Sequence, residues 1–388
     1  MNKLFVVPVL ALLAAACVST DVQSEDGASF LRPSTYNADQ ELLGRLTTEL
    51  DALEFHAVLI VKDGGLVYEK YFSRTDEEWG TDLGEVSFEA NTLHDLRSAS
   101  KSVVSALVGI AIEEEFIRGL NTPVTELLNE ETLRAYEPPA ENSPLLLKHL
   151  LSMSAGFDWN ERIPYTSPKN PEIQMWESDH PAQFALSRPF ADEPGARFNY
   201  NGGLTQILVA ILEQNTGVAL DEYAASRLFA PLGISNVEWI RHKSGQPWGA
   251  SGLRLNVRDF AKFGQLYLQN GKWQGRQLVP ADWVAASVAS HIDTGFPIKM
   301  YYGLHWLLPG YESAGESLAA WMVQGNGGQT LILFPEHELM VVTMAGYYND
   351  VVNMVMLPPK ISRQYILPAF GIADVSQPRT TTGTTNSR

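Results

Sequence analysis

The ten residues from Val103 to Ile112 read Val-Val-Ser-Ala-Leu-Val-Gly-Ile-Ala-Ile, apolar or small at every position. A helix that is hydrophobic all round belongs in an interior, so the rest of the chain has to wrap around this segment. What precedes it is polar: Leu96-Arg97-Ser98-Ala99-Ser100-Lys101-Ser102. Ser98 and Lys101 stand three residues apart, which places them one turn apart on one helix face. A lysine at the mouth of a buried helix loses solvation, and that disfavours its charged form. A neutral amine in reach of a hydroxyl is a general base, and the serine becomes a nucleophile. The spacing alone also describes a polar helix start with a solvated lysine; the apolar run behind it favours the chemical alternative.

The composition fits a globular protein with a large core, with 45% hydrophobic and 19% charged residues. At the start, Met1-Asn2-Lys3 carries one positive charge and Leu4 to Ala16 are apolar or small, a secretory signal too short to span a bilayer. The only cysteine, Cys17, directly follows Ala14-Ala15-Ala16 and resembles the lipobox of bacterial lipoproteins. Leu13 lies one place further from it than the usual leucine, so cleavage without lipidation stays open. With one cysteine there is no intramolecular disulfide. A formal net charge of −17 argues against nucleic acid or an anionic bilayer as partner. Membrane contact is expected only through a lipid at Cys17, in the bacterial periplasm or on a membrane facing it.

Residues 18–40 are polar and read as a tether. Glu41 to Leu53 has an amphipathic helix pattern; His56–Lys62 and Leu66–Phe72 read as strands joined by a turn at Asp63-Gly64. From about 123 to 290 the pattern is mainly helical, broken by Gly and Pro. Strand patterns return at 302–308, 319–324, 330–334 and 339–344, followed by a helix over 350–367 and a Thr/Ser-rich tail over 374–388. Strands at both ends around a helical middle predict an α+β fold. One antiparallel sheet is built from both termini, with flanking helices and a large inserted helical region. Residues 41–373 then form a single catalytic domain.

Two further segments carry chemistry. In Phe198-Asn199-Tyr200-Asn201-Gly202-Gly203, a tyrosine sits in an Asn/Gly turn before a helix, where its phenol can relay a proton to a leaving group. In Gly325-Asn326-Gly327-Gly328-Gln329, glycines let the backbone approach a ligand, which suits an oxyanion hole of main-chain N–H groups. Each alone is also an ordinary helix entrance or β-turn. Ser178-Asp179-His180 imitates the Ser-Asp-Asn motif of class A β-lactamases but lacks the asparagine. Trp159 and Trp176 are candidates for lining a substrate cleft.

Taken together, Ser98-x-x-Lys101, Tyr200-Asn201-Gly202 and the 325–329 loop resemble, in this order, the class C β-lactamase-like serine hydrolases. The resemblance includes the opening hairpin, the Leu150–Trp159 stretch and Ala250-Ser251-Gly252-Leu253. It is closest to the branch holding esterases and the 6-aminohexanoate-dimer hydrolase. It implies a sheet-plus-helical-region fold and acylation at serine, with Ser98 as nucleophile, Lys101 as base and Tyr200 as proton relay. It also implies an oxyanion hole from the amides of Ser98 and Asn326, with Gly325, Gly327 and Asn201 around the substrate. Two features depart from the family's β-lactamases. Gly202 stands where an asparagine is usual, and Val323-Gln324-Gly325 aligns with Lys-Thr-Gly, so the lysine that meets a β-lactam carboxylate is missing.

There is no Gly-x-Ser-x-Gly elbow, no close histidine motif for zinc and no phosphate loop, so no metal or cofactor is expected. The expected function is cleavage of a small ester or amide through an acyl-enzyme on Ser98. The alternatives are a D-amino-acid-specific peptidase or transpeptidase on cell-wall peptides, and a non-catalytic penicillin-binding-like receptor. Lipidation has its own test in the native bacterial host. Cys17→Ser should move the protein from the membrane fraction to the soluble one, and an unchanged distribution would mean ordinary secretion or another anchor.

Overall fold

The computed structural model describes residues 30–139, 143–313 and 316–372. The expected signal segment, Cys17, most of the expected tether and the 374–388 tail lie outside the described residues. The first helix, α1 (Gln40–Asp51), is capped by Asp39, whose carboxylate accepts the N–H groups of Glu41 and Leu42. It buries Leu42, Leu43, Leu46 and Leu50 along one stripe. Strand β1 (Phe55–Lys62) turns into β2 (Gly65–Tyr71) through Asp63-Gly64. Both turn residues have positive φ, 52° and 73°, the two-residue turn that Asp-Gly favours.

The main sheet has eight antiparallel strands. The others are β3 (Ile292–Asp293), β4 (Met300–Tyr302), β5 (Leu307–Pro309), β6 (Trp321–Gln324), β7 (Thr330–Phe334) and β8 (Leu339–Ala345), in the spatial order β3-β4-β5-β6-β7-β8-β1-β2. The N-terminal hairpin thus closes onto the C-terminal strands, with Val58 opposite Thr343 and Ile60 opposite Val341. This is the α+β sheet of both termini that the sequence predicts.

Alternation divides the sheet between two cores. Leu59, Leu331, Leu333, Met340 and Val342 face one cluster; Val58, Ile60, Ile332, Phe334 and Val341 face the other. Each fully buried side chain of this size contributes about 1.5–3 kcal/mol. The first cluster also receives α2 (Ser100–Glu113), α3 (Gly202–Thr216) and α4 (Val257–Leu268); the second is covered by α1 and α5 (Val351–Ile361). Helix α2 is buried from Ser100 to Ala111, as its all-round apolar sequence requires.

Two elements differ from the sequence pattern. The single strand expected over 302–308 is two strands, because the chain turns back between Tyr302 and Leu307. His305 takes φ 61°, Gly303 N–H bonds Trp306 O at 2.8 Å, and His305 N–H bonds Leu151 O at 2.9 Å. A hairpin over Ser73–Glu78 and Thr81–Ser87 follows β2, where the run of acidic residues carries no apolar alternation to announce a strand. A small three-stranded sheet then joins His94–Asp95 to Leu253–Leu255 and Glu238–Trp239. It ties the approach to Ser98 to the helical region.

Candidate active site

The chain enters α2 through a 3-10 turn, Arg97–Ala99. Arg97 has φ 49°, a left-handed conformation uncommon for a side chain of this size, and it is held from several sides. Its guanidinium lies over the rings of Trp79 and Tyr348, donates to Glu77 at 2.8 Å and sits 3.2 Å from Asp95. Buried Asp95 also meets Arg254 Nε at 2.8 Å and accepts the Trp79 N–H at 2.8 Å. Three serines of α2 satisfy polar groups of neighbouring segments. Ser100 donates to Arg97 O and accepts from Leu253 N–H, Ser102 donates to His305 O, and Ser105 donates to Leu304 O.

Within this frame Lys101 is buried, 2% exposed. Nζ donates to Ala250 O at 2.6 Å and to Ser98 Oγ at 3.2 Å. Tyr200, from the turn before α3, packs its ring 5.1 Å from Nζ, with its phenol near the Ser98 side chain. Burial raises the Tyr200 phenol well above its ordinary value. The neighbouring Glu161 and Glu172 carboxyls push the same way, while Ser98 works against them. A phenol that holds its proton so firmly is a donor at neutral pH.

The 325–329 loop lies against the same turn. A Cβ on Gly325 would stand 2.2 Å from Leu96 O, so only glycine permits this approach. The Asn326 side chain is locked to the next loop, donating to Asn349 Oδ1 at 3.0 Å and accepting the Asn349 N–H at 2.7 Å. Gly327 and Gly328 take φ 132° and 94°, and Gly327 O accepts the Tyr347 N–H. Among the described residues, neither the Ser98 nor the Asn326 N–H donates to a protein acceptor.

Two carboxyls that no local motif announces lie behind Tyr200. Asn170 caps the helix Pro171–Glu177 and accepts the Glu172 N–H at 2.8 Å, which seats Glu172 in the buried first turn. Glu161 accepts from Trp159 Nε1 at 2.7 Å, Gly202 N–H at 2.6 Å and Tyr165 OH at 2.7 Å. The two acids converge over Gly202, where a Cβ would be 2.8 Å from Glu172 Oε2 and 3.4 Å from Glu161 Oε2. The glycine that replaces the family's asparagine therefore makes room for a carboxyl pair. Burial raises Glu172 well above the carboxylate range; Glu161 raises it further and Lys101 opposes.

Of the residues singled out from sequence, Ser98, Lys101 and Tyr200 come together, and Gly325 lies against Leu96 and Arg97 just ahead of Ser98. Asn201 is buried with its Oδ1 unpartnered. Trp159 is also buried, 4% exposed, so it sits behind the site and reaches it through Glu161. Half-buried Trp176 packs on Trp79 and Trp248, on the Arg97 side. Asp179 of the decoy motif is at the surface beside a separate cavity of about 550 Å³, paired with Lys243.

Residues 45–352 match the beta-lactamase family, and the chain belongs to it. It is 26% identical to the 6-aminohexanoate-dimer hydrolase of Paenarthrobacter ureafaciens over 282 residues, 67% of this chain and 68% of that one. It is 25% identical over 216 residues to an Escherichia coli K12 protein whose name proposes a D-alanyl-D-alanine carboxypeptidase, covering 52% and 48% of the two chains. Among solved structures, a Bacillus anthracis protein whose name proposes a 6-aminohexanoate-dimer hydrolase superposes with a TM-score of 0.69. That match has 22% identity and covers 92% of this chain and 90% of that one. The protein is a hydrolase of β-lactamase-like fold.

The carboxyl pair has a measurable signature. Above pH 4.5, the ordinary value for glutamate, the folded chain keeps a proton on Glu172 that the unfolded chain releases. Stability then falls as pH rises towards the raised value, by at most about 1.4 kcal/mol per pH unit for one proton. Glu172→Gln keeps the uncharged shape and removes that slope. Its melting temperature should gain on the wild type between pH 5 and pH 7, whereas a constant offset would mean that Glu172 is ionised in the fold.

Proposed function

We propose that the protein hydrolyses small esters or amides with neutral acyl groups through an acyl-enzyme on Ser98. The observation that carries this is buried Lys101 Nζ standing on the Ser98 hydroxyl with the Tyr200 ring against the same nitrogen. Ala250 O accepts one N–H of Lys101, which holds Nζ beside Ser98 Oγ. As Oγ attacks the substrate carbonyl, its proton passes to Nζ and the C–O bond of a tetrahedral adduct forms. The adduct's oxyanion is placed between the N–H groups of Ser98 and Asn326. Tyr200 gives its proton to the departing alkoxide or amine and recovers one through Lys101. Water then attacks the acyl-enzyme by the same route, releasing the acid and restoring Ser98.

Charge supports the substrate class. Val323 is an apolar core residue, 2% exposed, where a β-lactamase lysine would stand. Arg254, another candidate for binding a carboxylate, is engaged by Asp95, Glu78 and Glu238. Lys299 is exposed just ahead of β4. An anionic substrate would bury its carboxylate without a partner, which is costly; a neutral ester loses nothing. The Escherichia coli relative keeps a D-alanyl peptidase as the second reading.

Ser98→Ala should abolish turnover of nitrophenyl butyrate with folding intact, and a fluorophosphonate adduct should map to Ser98; labelling of another serine would sink the assignment. Lys101→Ala should lower the rate by roughly a hundred- to ten-thousand-fold. On one preparation, kcat/KM for nitrophenyl butyrate should far exceed that for nitrocefin. A reversed order would restore the β-lactamase reading, and efficient release of D-alanine from a D-alanyl-D-alanine peptide would favour the peptidase. An acylation burst without turnover would point to a receptor.

A further inference from the structure

We propose that His56, Asp76 and His94 form a site for one divalent transition-metal ion of the zinc type, which fastens the segment leading into Ser98. The three residues are remote in sequence and come from three elements: β1, the hairpin strand Ser73–Glu78 and the short strand His94–Asp95. All three are buried. His56 Nδ1 stands 2.8 Å from His94 Nε2, and Asp76 Oδ1 is 3.7 Å from the former and 3.9 Å from the latter. A point equidistant from these atoms lies about 2 Å from each, the length of zinc bonds to imidazole and carboxylate.

Proton placement points the same way. His94 Nδ1 lies 2.9 Å from Asp95 O, so it carries the hydrogen and Nε2 presents a lone pair to the cluster. If His56 Nδ1 supplied a hydrogen to that lone pair, its Nε2 would be bare. That nitrogen is buried with no hydrogen-bond partner. With the hydrogen on Nε2 instead, two lone pairs face each other at 2.8 Å. A cation between them satisfies both rings at once.

A metal ion binds the neutral imidazole, through the ring nitrogen that carries the lone pair. Outer contacts hold the donors in place: Asp95 O on His94, the Tyr348 hydroxyl on Asp76 at 2.8 Å, and the Phe88 ring stacked on His56 at 4.2 Å. A water completes four-coordination. His94 and Asp95 immediately precede Leu96, Arg97 and Ser98, so the ion would fix the nucleophile's turn to the sheet without touching substrate.

The test uses the full chain, stripped with EDTA, checked for folding by circular dichroism and titrated with Zn²⁺ alone. One ion per chain should survive gel filtration, and the melting temperature should rise with Zn²⁺ concentration. Asp76→Asn and His94→Gln should each weaken Zn²⁺ binding about a hundredfold or more, while His291→Gln, at an exposed histidine, should leave it unchanged. Should those variants fail to fold, Co²⁺ added to the stripped wild type decides, since a four-coordinate site gives intense visible bands. A folded wild-type chain that retains no Zn²⁺ would overturn the proposal. So would binding indifferent to Asp76→Asn and His94→Gln, or a weak six-coordinate Co²⁺ spectrum.

Discussion

A lysine amine enclosed in an apolar helix has few ways to be satisfied, and the site is organised around the ones Lys101 has. Its partners are a carbonyl, Ala250 O, and a hydroxyl, Ser98 Oγ, with the face of Tyr200 alongside. Burying a polar group without such partners is costly, so the enclosing segments have to keep their places for the fold to keep its stability. The Ala250–Leu253 segment, the Ser98 turn and the Tyr200 turn are thereby set relative to one another by one nitrogen. Ser100, Ser102 and Ser105 extend the arrangement by bonding backbone from remote parts of the chain. The helix that most constrains the fold also carries Lys101, and the turn that opens it carries Ser98.

The Glu161–Glu172 pair is the electrostatic counterpart of that amine. Burial, with the Glu161 carboxyl beside it, keeps a proton on Glu172. The pair's effect reaches the reacting atoms along two routes. One is Coulombic, acting on Tyr200; the other is mechanical, through the bond from Gly202 N–H to Glu161 at the start of α3. Trp159 and Tyr165 complete the seat by donating to Glu161. A tryptophan that looked like a cleft residue thus serves as the rear support of the tyrosine turn.

The parts of the structure with a local signature were legible in the sequence. Alternation and the Asp63-Gly64 turn marked the β1–β2 hairpin, the all-apolar run marked α2, and the glycine-rich loop marked a close backbone approach that Gly325 makes. The acidic hairpin over 73–87 was not legible, because its strands are too exposed to alternate between apolar and polar. Glu161 and Glu172 were hidden for another reason: a chain with 45 acidic residues gives no local cue to the few that are buried. His56, Asp76 and His94 become neighbours only when hairpin, sheet and small strand are assembled. Sequence spacing carries no trace of that.

Asp95 shows how those hidden parts bear on substrate choice. Being buried, it needs cations, and it draws in both Arg97 and Arg254. Glu77, Glu78 and Glu238 occupy what remains of the two guanidinium groups. The guanidinium groups of Arg97 and Arg254 are therefore spent on structure, leaving neither to meet a substrate carboxylate. The whole molecule adds to this, since a net charge of −17 repels anions at a distance. Local and global electrostatics act in the same direction, so the proposed preference for neutral acyl groups rests on more than the missing lysine at Val323.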